Sequence, residues 1–172
     1  MMSLNGIMVG ERDSFHPDGI LSRAQAAKVL LVGADRRIPP PPASPTFEDV
    51  SSDAWYYASV EAFAALGITG GCSVSPRRYC PDAPVERQHM AAFATRAFGF
   101  EVDDASAEPH FSDVRSTNAF FPYVQKMRDL SAMVGCSSTE FCPAQPITRA
   151  DTALVVDRLR RMLQLEPRPP FR

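Results

Sequence analysis

The feature that most constrains this chain is a pattern that recurs along it. Phe47-Glu48-Asp49-Val50 returns as Phe111-Ser112-Asp113-Val114, and ten residues beyond each valine stands another, Val60 and Val124. Leu66 and Leu130 follow, then Gly71-Cys72 and Gly135-Cys136, Tyr79-Cys80-Pro81 and Phe141-Cys142-Pro143, Pro84 and Pro146. Each block closes on an arginine, Arg87 or Arg149, that opens a long helical stretch. The second half of the same pattern opens the chain. Gly6-Ile7-Met8-Val9-Gly10 matches Gly67-Ile68-Thr69-Gly70-Gly71, Phe15-His16-Pro17-Asp18 matches Tyr79-Cys80-Pro81-Asp82, and Arg23 stands six residues after Pro17 as Arg87 does after Pro81. A period of this length marks a protein assembled from small units that pack on one another.

Each complete unit reads as helix, loop, helix. Asp53 is expected to cap a first helix that runs to about Leu66, with Tyr56, Val60 and Phe63 on one face. Phe120, Val124 and Met127 take the same face in the last unit. Second helices are predicted from Arg23 to about Val32, Arg87 to about Phe98 and Arg149 to about Leu163. Their stripes, Met90, Phe93 and Ala97 or Val155, Leu159 and Met162, are read as core. Ser22-Arg23-Ala24-Gln25 is a capping box and Thr148-Arg149-Ala150-Asp151 a close variant. Glu86-Arg87-Gln88-His89 lacks the capping hydroxyl, which weakens that helix start by about 1 kcal/mol. The linker Asp35 to Thr46 carries Pro39-Pro40-Pro41-Pro42 and is expected to run extended. Glu101 to His110 reads as an acidic surface loop, and Glu166 to Arg172 as a loose tail.

The 172 residues are 45 % hydrophobic, enough for a packed core, and the formal net charge of −2 gives no reason to expect nucleic acid as a partner. No apolar run reaches the length of a membrane span, and Met1 to Gly10 does not read as a secretory signal. The four cysteines fall in two close pairs, Cys72 with Cys80 and Cys136 with Cys142, each inside one unit. Both are missing together from the first unit, as bonded pairs would be. Disulfides are the favoured reading. Zinc would call for tighter spacing or nearby histidines, and His16, His89 and His110 are scattered; free thiols are the remaining alternative. Disulfides would place the protein outside the cytoplasm. No metal site and no cofactor are called for.

In register, Phe-x-Asp-Val, an aromatic-led helix, Gly-Ile-x-Gly, an aromatic-x-Pro segment and Thr-Arg-Ala-Asp together resemble the S-layer homology domain of bacterial surface proteins. The resemblance divides the chain into a partial repeat at 4–34, full repeats at 47–100 and 111–165, and a proline-rich linker at 35–46. It implies an all-α fold of tandem helix-loop-helix repeats packed as a pseudo-trimer, with the first repeat incomplete. It also implies non-covalent anchoring to the cell envelope: grooves between repeats bind a secondary cell-wall polysaccharide, often through an acidic or pyruvylated sugar. The protein would be secreted and held at the cell surface. By position, the implied ligand residues are Arg23, Arg87 and Arg149, with Gly67, Ile68 and Gly70 in the second repeat and Trp55 as the aromatic near a first-helix start. The third repeat has Ala119 in place of Trp55, and Ser131-Ala132-Met133-Val134 in place of Gly67-Ile68-Thr69-Gly70, so its groove is expected to be degenerate.

The residues support an anion site independently. An arginine in the first helical turn opposes the helix dipole, yet all three units put one there. Free backbone N–H groups and a guanidinium converging on an anion would reverse the sign. The competing reading is that each arginine pairs with a nearby acid such as Asp18, Asp82 or Glu86. Because the first repeat lacks a first helix, Ala27, Leu30 and Leu31 are expected to be exposed, so that the chain self-associates or an upstream segment covers them.

An enzyme reading finds no support. The cysteines are better explained as bridges, no histidine recurs between units, and Asp103-Asp104 lies in a linker. The alternative to polymer anchoring is a structural or protein-interaction module that keeps the fold without binding polymer.

Overall fold

The computed structural model describes residues 15–102 and 108–165. The glycine-rich turn of the first repeat (Gly6–Gly10), Asp103-Asp104 and the tail 166–172 lie outside the described residues. Among those described, the elements in order are α1 (Arg23–Gly33), α2 (Tyr57–Ala65), β1 (Ser73–Val74), β2 (Arg77–Arg78), α3 (Arg87–Phe98), α4 (Phe121–Asp129) and α5 (Arg149–Met162). The fold is mostly helical, as expected, with one addition. The Cys72–Cys80 loop is two residues longer than its counterpart, and the extra length forms an antiparallel hairpin, Ser73 opposite Arg78 and Val74 opposite Arg77.

The Phe-x-Asp-Val motif closes each repeat on itself. Asp49 accepts from the Tyr79 and Cys80 backbone N–H groups at 2.8 and 2.7 Å, and Asp113 accepts from Phe141 and Cys142 at the same distances. Phe47 packs on Tyr79 and Phe111 on Phe141, all four buried. Burying a large apolar side chain of this kind contributes about 1.5–3 kcal/mol. Gly71 and Gly135 are fixed by the same closure: a Cβ on either would strike a backbone carbonyl and come within 2.8 Å of Phe47 or Phe111. Both disulfides are formed, Cys72–Cys80 and Cys136–Cys142. Bonded sulfurs leave no thiolate for zinc, so the zinc and free-thiol readings fall away.

The repeats join through a closed ring of backbone bonds. Leu21 N–H donates to Ile147 O (3.1 Å), Ile147 N–H to Val85 O (2.8 Å), and Val85 N–H to Leu21 O (2.9 Å). All three side chains are fully buried. These residues occupy one position in the three repeats, just before each second helix, so α1, α3 and α5 start from a common centre.

Three expectations need correction. Asp53 does not cap α2: its N–H turns back to Ser51 Oγ, and a run of tight turns delays the helix to Tyr57. Met162 is exposed and lies beyond the core stripe that Val155 and Leu159 continue. Ala27, Leu30 and Leu31 are not exposed at all but fully buried, because α1 packs against α2, α3 and α5. The face thought to need an outside partner is covered from within, which removes the stated motive for self-association. The other stripes hold, and so does the capping pattern: a reciprocal box at Ser22 and Gln25, a Thr148 cap on Asp151, and no side-chain cap at Glu86. The proline linker is also tied down, by Tyr57 Oη to Pro42 O (2.6 Å), Thr46 to Glu61, and Arg36 Nε to Ala97 O (2.6 Å).

Candidate functional site

Each signature arginine reaches across to the next repeat. Arg23 Nε donates to Tyr79 O (2.8 Å), Arg87 Nε to Phe141 O (2.8 Å) and Arg149 Nε to Phe15 O (2.9 Å). Each guanidinium also stacks over that residue's ring, at 4.9, 4.7 and 5.2 Å. Arg23 and Arg87 are buried, and burial pulls both pKa values down from the usual arginine range; nearby Tyr79 and Asp49 oppose this at Arg23, and Asp151 and Asp113 at Arg87. A charge-assisted bond to a buried carbonyl is worth about 1.5–3 kcal/mol. Neither reading of these arginines foresaw this. Arg23 and Arg87 hold carbonyls where Asp82 or Glu86 were the expected partners. The helix N-termini are not free either: Arg23 N–H donates to Ala83 O and Ala24 N–H to Pro81 O, and the same pair of bonds recurs at Arg87 and Gln88 and at Arg149 and Ala150. The first two amides of each of these helices are therefore engaged within the fold.

The arginine of one repeat therefore meets the turn of the next. Arg23 Nη2 lies 3.5 Å from Thr69 Oγ1, whose oxygen also accepts from Gly71 N–H (3.1 Å). The groove at this junction has a volume of about 370 Å³. Arg23 forms one wall, the Thr69–Cys72 turn another, and His89, Phe93 and Arg96 of α3 a third; Phe120 of the last repeat closes it. Of the turn residues named from the sequence, Gly70 lines the groove, Gly67 takes the positive φ (+68°) that ends α2, and Ile68 points into the core, 1 % exposed. Gly70 has neither positive φ nor a crowded Cβ position, so nothing inside the chain requires a glycine there.

Arg87 meets the corresponding turn of the last repeat, where its Nη2 donates to Val134 O. Here the volume is about 50 Å³, lined by Arg87, Ala132–Val134, Asp151, Leu154, Val155 and Arg158, among others. Ser131 holds the positive φ that Gly67 holds in the second repeat. Arg149 reaches Phe15, and the turn it would meet is among the residues not described. Trp55 is 61 % exposed and stands beside α1, its ring 5.5 Å from Lys28 Nζ; it does not line the groove at Arg23.

Several groove residues escaped the sequence reading, His89 and Thr69 among them. Phe120 was assigned to a helix face and Phe93 to the core. Arg96, which donates to Ile68 O (3.1 Å) and Tyr123 Oη (2.6 Å), carried no motif. Its counterpart Arg158 makes the same bond to Ala132 O (3.2 Å), a recurrence that aligning the two second helices would have exposed.

Comparison with known proteins bears on the last repeat and on the chain as a whole. Residues 110–153 match the family described as the S-layer homology domain, a stretch that takes in α4 and the start of α5. Over 171 residues the chain is 26 % identical to the Surface-layer 125 kDa protein of Lysinibacillus sphaericus. That alignment covers 95 % of this chain and 14 % of the relative's length. With the matched segment and its counterparts elsewhere in the sequence in hand, residues 110–153 are identified as an S-layer homology domain, and the rest of the described chain repeats its pattern.

Proposed function

We propose that the chain is a non-covalent anchoring module of the cell surface, and that it holds a cell-wall polysaccharide by an acidic or pyruvylated sugar in the groove at Arg23. The observation that carries this reading is Gly70: a glycine with no conformational or steric reason of its own, opening a cavity beside a buried arginine. The guanidinium edge meets the sugar's carboxylate by charge-assisted hydrogen bonds, and Phe93 and Phe120 cover an apolar face of the ring. The absence of a Cβ at Gly70 lets the sugar approach the turn closely.

On this reading the repeats at 4–34, 47–100 and 111–165 pack as a pseudo-trimer, which the ring through Leu21, Val85 and Ile147 supports. Arg87 and Arg149 serve the fold more than the ligand. Two disulfides suit an oxidising, extracellular setting. No helix among the described residues is long and apolar enough to cross a membrane. A protein-contact role is favoured by one feature, the exposed Val134 and Leu154 at the rim of the narrow groove.

The test is co-sedimentation with isolated cell-wall sacculi, before and after chemical removal of the secondary polymer. The anchoring reading expects pelleting that is lost with the polymer. Pelleting that survives its removal, or no pelleting at all, transfers the case to the protein-contact role.

A further inference from the structure

The fourth residue of the arginine signature sets the second repeat apart. In the other two it serves the helix cap: Gln25 Oε1 accepts from Ser22 N–H (3.1 Å), and Asp151 accepts from the Thr148 hydroxyl (2.9 Å). The second repeat has Glu86 at the cap position, with no side-chain cap bond. His89 is thereby released from capping and lines the groove. Its ring sits edge-on to Phe120 at 4.9 Å and near Phe93 at 6.3 Å. The charged groups facing it are Glu86 on its own helix start, with Oε2 3.6 Å from Nδ1, Arg23 from α1, and Arg96 from the same groove wall. Burial lowers the imidazole pKa below its ordinary value and Arg23 adds to this, while Glu86 opposes. In the empty groove His89 is therefore neutral at neutral pH.

Resting on the anchoring role above, we propose that His89 is a specificity residue of this groove, taking up a proton as an acidic sugar binds, so that attachment tightens as the medium becomes more acid. A carboxylate placed beside Arg23 offsets the Arg23 part of what holds His89 neutral and itself attracts the imidazolium, working against the larger effect of burial. The proton taken up on binding then couples affinity to pH with a defined sign: binding strengthens as pH falls through the bound-state value. No such coupling exists at the Arg87 junction, where Asp151 holds the same position.

The experiment is calorimetry at pH 7.5, 6.5 and 5.5 with a hexoside carrying a pyruvate ketal, together with NMR titration of the histidine ring protons. The ketal carboxylate stays ionised throughout this range. A bound-state rise of about one unit limits the gain to tenfold, of which roughly fivefold falls between pH 7.5 and 5.5. His89→Gln should bind with no acid gain, and His110→Gln, altered at the surface pair with Asp129, should keep it. A flat profile in the wild type, or an acid gain that survives in His89→Gln, overturns the proposal and leaves the groove standing. A folded wild type that binds none of the probe overturns the anchoring role and this proposal together.

Discussion

The junctions at Arg23 and Arg87 share one scaffold and have opposite consequences. In each, an arginine crosses to the next repeat, donates to an aromatic residue's carbonyl and stacks over its ring. In each, an arginine about two and a half turns along the second helix ties the glycine turn or its substitute, Arg96 to Ile68 O and Arg158 to Ala132 O. Yet one groove holds about 370 Å³ and the other about 50 Å³. The difference lies in side chains and not in backbone plan. Thr69 and Gly70 become Met133 and Val134, and the buried Ala92 becomes the exposed Leu154. The conserved geometry of the arginine is a matter of folding; the cavity is a matter of what is left out beside it.

The largest expected effect tests the shared half of this comparison. Arg23→Ala and Arg87→Ala should each destabilise the protein by about 2–4 kcal/mol, since each loses a charge-assisted bond to a buried carbonyl along with the ring contact. Arg149→Ala, at a less buried site, should cost less. Urea denaturation would check this; equal stability of all three variants and the wild type would break the structural reading of the arginines.

Next comes the bridge that borders only the open groove. Replacing Cys72 and Cys80 with alanine frees a loop of sequence separation 8, and the chain-entropy relation gives a loss of about 2–3 kcal/mol. Removing Cys136 and Cys142 should cost about the same but spare binding, because only Cys72 lines the open groove. Melting curves and sacculus binding on both double variants would separate the two effects.

A smaller effect should follow from Val134→Gly. Its exposed side chain contributes little to the core, so stability should fall by no more than about 1 kcal/mol, mostly from backbone entropy. Cavity volume at Arg87 should increase, measurable by crystallography of the variant. The smallest effect concerns pH. His89 is held below its ordinary pKa in the folded state, so its contribution is complete above the unfolded value and is lost as pH falls from there through the folded one. The free protein should therefore melt slightly lower at pH 5.5 than at 7.5, and His89→Gln should narrow that gap.

Much of this architecture is legible in the sequence because it is local. Capping at Ser22 and Thr148, the second-helix spans, and the pairing of Cys72 with Cys80 and Cys136 with Cys142 depend on residues a few positions apart. What the sequence hides is the order in which repeats meet. Aligning them places Arg87 beside Gly70, within one repeat, whereas the ring of bonds hands each arginine to the following one. Trp55 stands apart from the groove at Arg23 for the same reason: it faces Lys28 of α1, while Phe120 lines that groove. The burial of Ala27, Leu30 and Leu31 was hidden because it depends on α2, α3 and α5 arriving together. His89 did leave a trace, a histidine where the other repeats have Gln25 and Asp151, but its meaning needed the groove.

The central claim is that the open groove at Gly70 is the binding site and the closed one at Val134 is not. Gly70→Val copies the narrow junction into the wide one at a position with no atom within 4 Å of the new Cβ, so the fold should be unaffected. Calorimetry of the wild type and Gly70→Val against purified cell-wall polymer, with melting curves alongside, tests this most directly. The account predicts one site per chain in the wild type and at least a hundredfold loss of affinity in a variant that melts within a few degrees of it. Wild-type affinity in the folded variant would contradict the account.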